Sequence, residues 1–251
     1  MISAQWTSED VPDQLRSAVS RLHGSSWNEQ MAGANALAKL AARWYFDGAN
    51  AQAQHCIDLL CAYLRVRRYT RGPRSERTES EVREQITCLL TDFLRSGLGA
   101  ARGGLLVNLA TARIRGHHVF DGVSFGPGLR LILDRVQLEE GSGLSFEGCH
   151  FGGCIVRLYR VSLHEHAVLS LAGSTVDAGA WLLVSTAGVH PTAKVDVRGF
   201  TAPEIQGSAI HRMTRTNGTK GIEDLARPAR QSQAEQVPAG ARLSLAAETR
   251  F

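Results

Sequence analysis

Apolar positions along the first hundred residues recur every three to four places, the period of an amphipathic helix. Residues 11–22 set Val11, Leu15, Val19 and Leu22 on one face, with Pro12 suited to a first turn. Residues 27–46 do the same with Met31, Ala34, Leu37, Leu40, Ala41 and Trp44, and Gly33 would let a neighbouring helix approach closely. A third helix is predicted over 51–66 from Ile57, Leu60, Cys61 and Leu64. A fourth, over 79–95, follows from Val82, Ile86, Leu89, Leu90 and Phe93. Thr78 and Glu81 have capping-box spacing and predict its start; Gly97 and Gly99 predict its end. The segment RRYTRGPRSER (67–77) is then the longest connection. Four such helices predict a small bundle or two stacked hairpins.

Beyond Gly104 this period gives way to a longer one. The blocks LATARI (109–114), LDRVQL (133–138), LYRVSL (158–163) and VSTAGV (184–189) recur at offsets of 24, 25 and 26 residues. Between them a second set recurs, FDGVSF (120–125), FEGCHF (146–151), LAGSTV (171–176) and VRGFTA (197–202). Stacked on one another, these blocks align apolar rows. One row holds Leu109, Leu133, Leu158 and Val184; a second holds Ala112, Val136, Val161 and Ala187; a third holds Ile114, Leu138, Leu163 and Val189. Two further rows are Phe120, Phe146, Leu171 and Val197, then Phe125, Phe151, Val176 and Ala202. Glycine has a row of its own at Gly122, Gly148, Gly173 and Gly199, as a corner requiring positive φ would demand. A period near 25 residues with no helix inside it predicts one turn of a parallel β-helix. The expected fold class is therefore α+β with the two parts segregated. An α-helical domain over 1–102 caps about four solenoid coils over 103–204, and a polar tail, partly disordered or docking, follows over 205–251.

Charge enters next, because a strongly biased surface would name a partner class. Lys and Arg number 28 against 24 Asp and Glu, and the solenoid stretch 103–200 is balanced at 8 against 8. The one local basic run is Arg65, Arg67, Arg68, Arg71, Arg74 and Arg77, a candidate surface for an anion or a partner. The five cysteines lack zinc-knuckle spacing and are expected to be reduced, small apolar fillers. No run approaches the roughly 20 apolar residues of a membrane span, and a cytoplasmic address without membrane contact is expected. Among the histidines, His118 falls in the row of Leu144 and Leu169, His150 in that of Ser124 and Thr175, and His164 in that of Glu139. Different rows keep them apart. His164, Glu165 and His166, if on a strand, would put both imidazoles on one face as a candidate metal pair.

The stretches DQLRSAVSRLHGSSWNEQMAGANALAKLAARW (13–44), QHCIDLLCAYLR (54–65) and EVREQITCLLTDFLR (81–95) resemble the helical leader of actinobacterial pentapeptide-repeat proteins. VNLAT (107–111) approximates that family's A-(D/N)-L-x-x pentad. The resemblance covers residues 13 to about 202 and implies a right-handed β-helix after the leader, serving as a binding surface. Some members of the family imitate DNA with a strongly acidic face, which a charge-balanced solenoid does not provide. The expected function is a non-catalytic protein-interaction or scaffolding module with a protein partner or a second copy of itself, and with no cofactor. The alternatives are a nucleic-acid-linked regulator using the Arg65–Arg77 run, and a metal-dependent enzyme.

Overall fold

A computed structural model describes residues 13–66, 73–96, 104–177 and 179–201, the side chains of 73–78 excepted. Four helices come first: α1 (Asp13–Leu22), α2 (Trp27–Phe46), α3 (Asn50–Arg65) and α4 (Pro73–Arg95). Helix α2 is started by a capping box that the sequence reading passed over. The Glu29 amide donates to the Ser26 hydroxyl at 3.2 Å, and the Ser26 amide donates to the Glu29 carboxylate at 3.0 Å. The expected box at Thr78 and Glu81 is not a helix start, because α4 begins five residues earlier at Pro73. Proline suits a first helical turn, where its missing N–H has no partner to lose. Gly33 acts as expected: a Cβ there would lie 2.2 Å from the Leu22 backbone nitrogen, so α1 and α2 touch backbone to backbone. Val11 and Pro12, Ala202 and the tail 205–251 lie outside the described residues.

After the helices the chain winds into a parallel β-solenoid of about four turns. The first coil carries β1 (Leu106–Asn108), β2 (Arg113–Ile114), β3 (His117–Val119) and β4 (Ser124–Phe125). The second carries β5 (Arg130–Ile132), β6 (Gln137–Leu138), β7 (Gly143–Ser145) and β8 (His150–Phe151). In the third, the first two strands fuse into β9 (Ile155–Leu163), followed by β10 (Val168–Ser170) and β11 (Thr175–Val176). The fourth has β12 (Trp181–Val189) and β13 (Lys194–Asp196). Every pairing is parallel, and the stacked strands form three sheets.

The rows read from the sequence are the rows of the fold. Ile114 pairs with Leu138, Leu138 with Leu163, and Leu163 with Val189. Val184 pairs with Leu158, and Leu109 and Leu133 continue that row fully buried. Phe120 stacks on Phe146 with ring centroids 5.2 Å apart, and Phe125 stacks on Phe151 at 5.0 Å, the ring planes nearly parallel in both pairs. One row needs correction. Thr186, not Ala187, lies against Val161, because β12 is irregular there and Ala187 is left exposed.

The corners explain the length of the period. Several are four-residue turns closed by a backbone bond, such as Ala112 to Leu109, Leu129 to Gly126, Ser142 to Glu139 and Ser174 to Leu171. In all of these the third residue alone has positive φ, which defines a type II turn. The glycine row provides it at Gly122, Gly148, Gly173 and Gly199, with φ between 61 and 66°. Pro127 followed by Gly128 is the residue pair such a turn favours. At other corners a residue with a Cβ carries the left-handed conformation: Thr111, Arg135, Arg160 and His166. Each costs about 1–2 kcal/mol relative to glycine's freedom there.

Two side chains separate strain from burial. Leu163→Asp, which puts a charge into a stacked apolar row, is expected to cost at least about 3 kcal/mol and to remove the native circular-dichroism signal. Arg160→Gly, which relieves φ +58° at an exposed corner, is expected to raise stability by about 0.5–1 kcal/mol in urea unfolding. Arg157, a neighbour on the same strand, is not the neutral control that the alternating pattern implies. Its guanidinium holds Asp134 from Nε at 2.9 Å, so an aspartate at 157 would set two carboxylates together.

Candidate interaction surface

A stack of parallel coils ends in strands whose N–H and C=O groups point at nothing. At the first coil, two helices meet those groups with side chains. Gln54 of α3 imitates a strand: its Oε1 accepts from the Leu106 amide at 2.9 Å, and its Nε2 donates to the Leu106 carbonyl at 2.8 Å. On α4, Ser80, Glu84, Thr87, Thr91 and Arg95 follow one another at helical spacing and form a single polar stripe. Thr91 donates to the Val119 carbonyl at 2.8 Å, and Arg95 Nε to the Asp121 carbonyl at 3.0 Å. Ser80 donates to Arg115, and Glu84 presses on Gly116, where any Cβ would collide with its carboxylate. The sequence reading followed only the apolar face of this helix. The polar stripe opposite it was the signal for where the helix docks.

His118 stands at the centre of this seam. Its backbone pairs with Leu144, so its ring points inward where later coils carry leucine. The Thr87 hydroxyl lies 2.6 Å from Nδ1, and the Arg115 carbonyl 3.1 Å from Nε2. The carbonyl can only accept, so Nε2 carries the proton and Nδ1 accepts from Thr87. Burial, with a smaller push from Arg83, lowers the pKa to about 4 despite the carbonyl contact. The imidazole is neutral at physiological pH.

The outer face of the first sheet has a different chemistry. The row Arg130, Ile155 and Trp181 runs beside the row Ile132, Arg157 and Leu183, on the side opposite the inward row Leu131, Val156 and Leu182. Tyr159, at the following corner, is half-buried beside them. Isoleucine, tryptophan, tyrosine and arginine thus share one ladder-like surface. The Asp134–Arg157 ion pair holds one of its arginines in place. Sequence stacking located the described inward rows, Ala187 excepted, and gave no weight to the outward rows between them.

Elsewhere the sequence candidates separate. Arg65 lies half-buried in the last turn of α3, while the side chains of Arg67, Arg68, Arg71, Arg74 and Arg77 lie outside the described residues. Arg83, which the sequence reading did not single out, is 7% exposed and binds Glu79 at 2.9 Å and the Leu64 carbonyl at 2.7 Å. It ties α4 to the end of α3 where the basic run begins. His164 and His166 are not on a strand: β9 ends at Leu163, and His166 occupies the left-handed corner position. Among the described residues no three His, Cys, Asp or Glu side chains gather around a point that would hold a metal. His150 bridges Thr175 Oγ1 and Asp177 Oδ2, each at 3.0 Å, and binds coil two to coil three on an open face. Cys56, Cys61, Cys149 and Cys154 are buried, and burial raises their thiol pKa values to about 11–12. No described helix is long and apolar enough to cross a membrane.

Comparison with known proteins finds no matching family model, no matching curated protein and no matching solved structure.

The seam histidine makes stability depend on pH in a defined direction. Its folded pKa, about 4, lies below the ordinary 6.5, so its contribution is complete above pH 6.5 and is lost as pH falls toward 4. His118→Leu, which installs the residue of the next two coils, is expected to remove this loss. Urea titrations at pH 7 and pH 5 are expected to show the wild type losing about 2 kcal/mol more than the variant.

Proposed function

We propose that this protein is a non-catalytic interaction module, in which the helices and solenoid hold a rigid ladder of side chains against a protein partner. What supports this reading is the outer face of the first sheet. Trp181, Ile155, Ile132 and Tyr159 alternate there with Arg130 and Arg157, residue types that concentrate at the energetic centres of protein interfaces. Parallel pairing fixes the backbone beneath them, so little conformational entropy remains to be lost on docking. The order of parts, a helical leader and then stacked coils with four corners each, supports kinship with pentapeptide-repeat proteins. The corners themselves are less regular than a five-residue repeat. Left-handed residues at 104, 111, 116, 122 and 128 lie five to seven positions apart. The nucleic-acid reading rests on the Arg65–Arg77 run, of which only the Arg65 side chain is described.

Trp181 is the test residue. Tagged full-length protein recovered from its native cells is expected to bring down one protein in stoichiometric amount. Trp181→Ala, with unchanged urea unfolding, is expected to weaken that complex at least about tenfold. A partner held equally well by the variant, or the absence of any stoichiometric protein, would overturn the proposal.

A further inference from the structure

Among the described residues the solenoid is closed at one end and open at the other. Strand β13 terminates its sheet, in which the order is β13, β10, β7, β3. The ladder tells which groups face outward from it. Lys194 N–H donates to Ala167, and Asp196 accepts from Leu171, so both of these residues address coil three. Val195, alternating with them, directs its N–H and C=O groups to the open side, as Val197 does its N–H, while the Val197 carbonyl accepts from Phe200 at the corner. Their side chains are half-buried and continue two apolar rows, one through His118, Leu144 and Leu169, the other through Phe120, Phe146 and Leu171. Phe200 is half-buried at the same end. What this edge lacks is one more strand of the same pattern.

The chain contains a second sequence of that pattern. Residues 167–175 read AVLSLAGST, and residues 241–249 read ARLSLAAET, identical at six of nine positions. The first of these is β10 with its corner, the element directly beneath β13. We propose that Arg242–Leu245 adds to the open edge of β13 as a further parallel strand, in the register by which β13 lies on β10. Leu243 then covers Val195, Leu245 covers Val197, and Ser244 takes the row of Ser145 and Ser170. Arg242 falls in the outward row of Val168 and Lys194. The likeness weakens at Ala247, which stands where Gly173 has φ +64°, so the pairing covers the strand and not the corner. Reach is sufficient: the chain passes from Thr175 to Ala193 in 18 positions, and has 40 between Thr201 and Ala241. A backbone ladder supplies the affinity, and the two inward leucines supply the register.

Amide hydrogen exchange on the full chain tests this occupant against the others. Val195 and Val197 are expected to exchange at least about tenfold more slowly in the wild type than in Leu243→Asp. The Leu22 and Leu163 amides, far from the edge, should remain equally protected in both proteins, which separates loss of the strand from loss of the fold. Arg242→Glu, which sets a carboxylate beside Lys194, is expected to slow exchange further. Protection must also be independent of protein concentration, with a monomeric mass by sedimentation. Equal exchange in wild type and Leu243→Asp would overturn the proposal. So would protection that fades on dilution together with a dimer, which would assign the edge to a second copy. Arg242→Glu without effect would overturn the register.

Discussion

The whole molecule turns on one requirement of parallel pairing: a coil satisfies its backbone only when another coil, or a substitute, lies on each side of it. At the first coil the substitute is a set of side chains. Gln54 presents an amide in place of a strand, and the polar stripe of α4 meets three carbonyls along the same edge. Each such bond adds about 1 kcal/mol, whereas leaving the buried groups unmet would cost more. The helices are therefore the first layer of the solenoid in all but secondary structure. A single apolar cluster runs through both parts, from Leu15 to Leu182.

The second requirement is that a coil return to its own axis after each circuit. In the first three coils four corners do this, each with one residue of positive φ, and the pattern at those positions shows two solutions of different cost. Glycine stands at one corner in every coil, while arginine and threonine occupy the corner before β2 and β6. The stacked amides serve both kinds of corner alike: Thr111 donates to Asp134 and Arg135 to Tyr159, just as Gly122 donates to Glu147. The residue with a Cβ therefore carries its strain with no additional backbone bond to offset it.

Much of this was legible in the residues because a repeat reports itself twice, once as a period and once as agreement between copies. Ile114, Leu138, Leu163 and Val189 were assigned to one row by spacing alone, and they are partners in the ladder. Legibility failed where one copy departs from the others. Ala187 was misplaced because β12 has an irregularity that no spacing rule marks, and the conditional pairing of His164 with His166 lapses because His166, like its copies Gly141 and Thr192, belongs to a turn. The candidate surface was harder still. Inward rows are uniform because the core demands it, whereas an outward row such as Arg130, Ile155 and Trp181 varies from coil to coil and stays invisible to a search for likeness. The docking stripe of α4 was missed for a related reason, since a polar helix face reads as solvent-facing until a partner edge is known.

The parallel ladder also gives the molecule a mechanical grain. Bonds between coils run along the stacking axis, and each coil is bonded only to its immediate neighbours. A load applied at the last coil is therefore borne by the few bonds at its leading edge, which part in succession as in a peeling tape. A load across the axis is shared by all three sheets at once. The protein is thus stiff to sideways shear and compliant to unravelling from one end, with the helices anchoring the other.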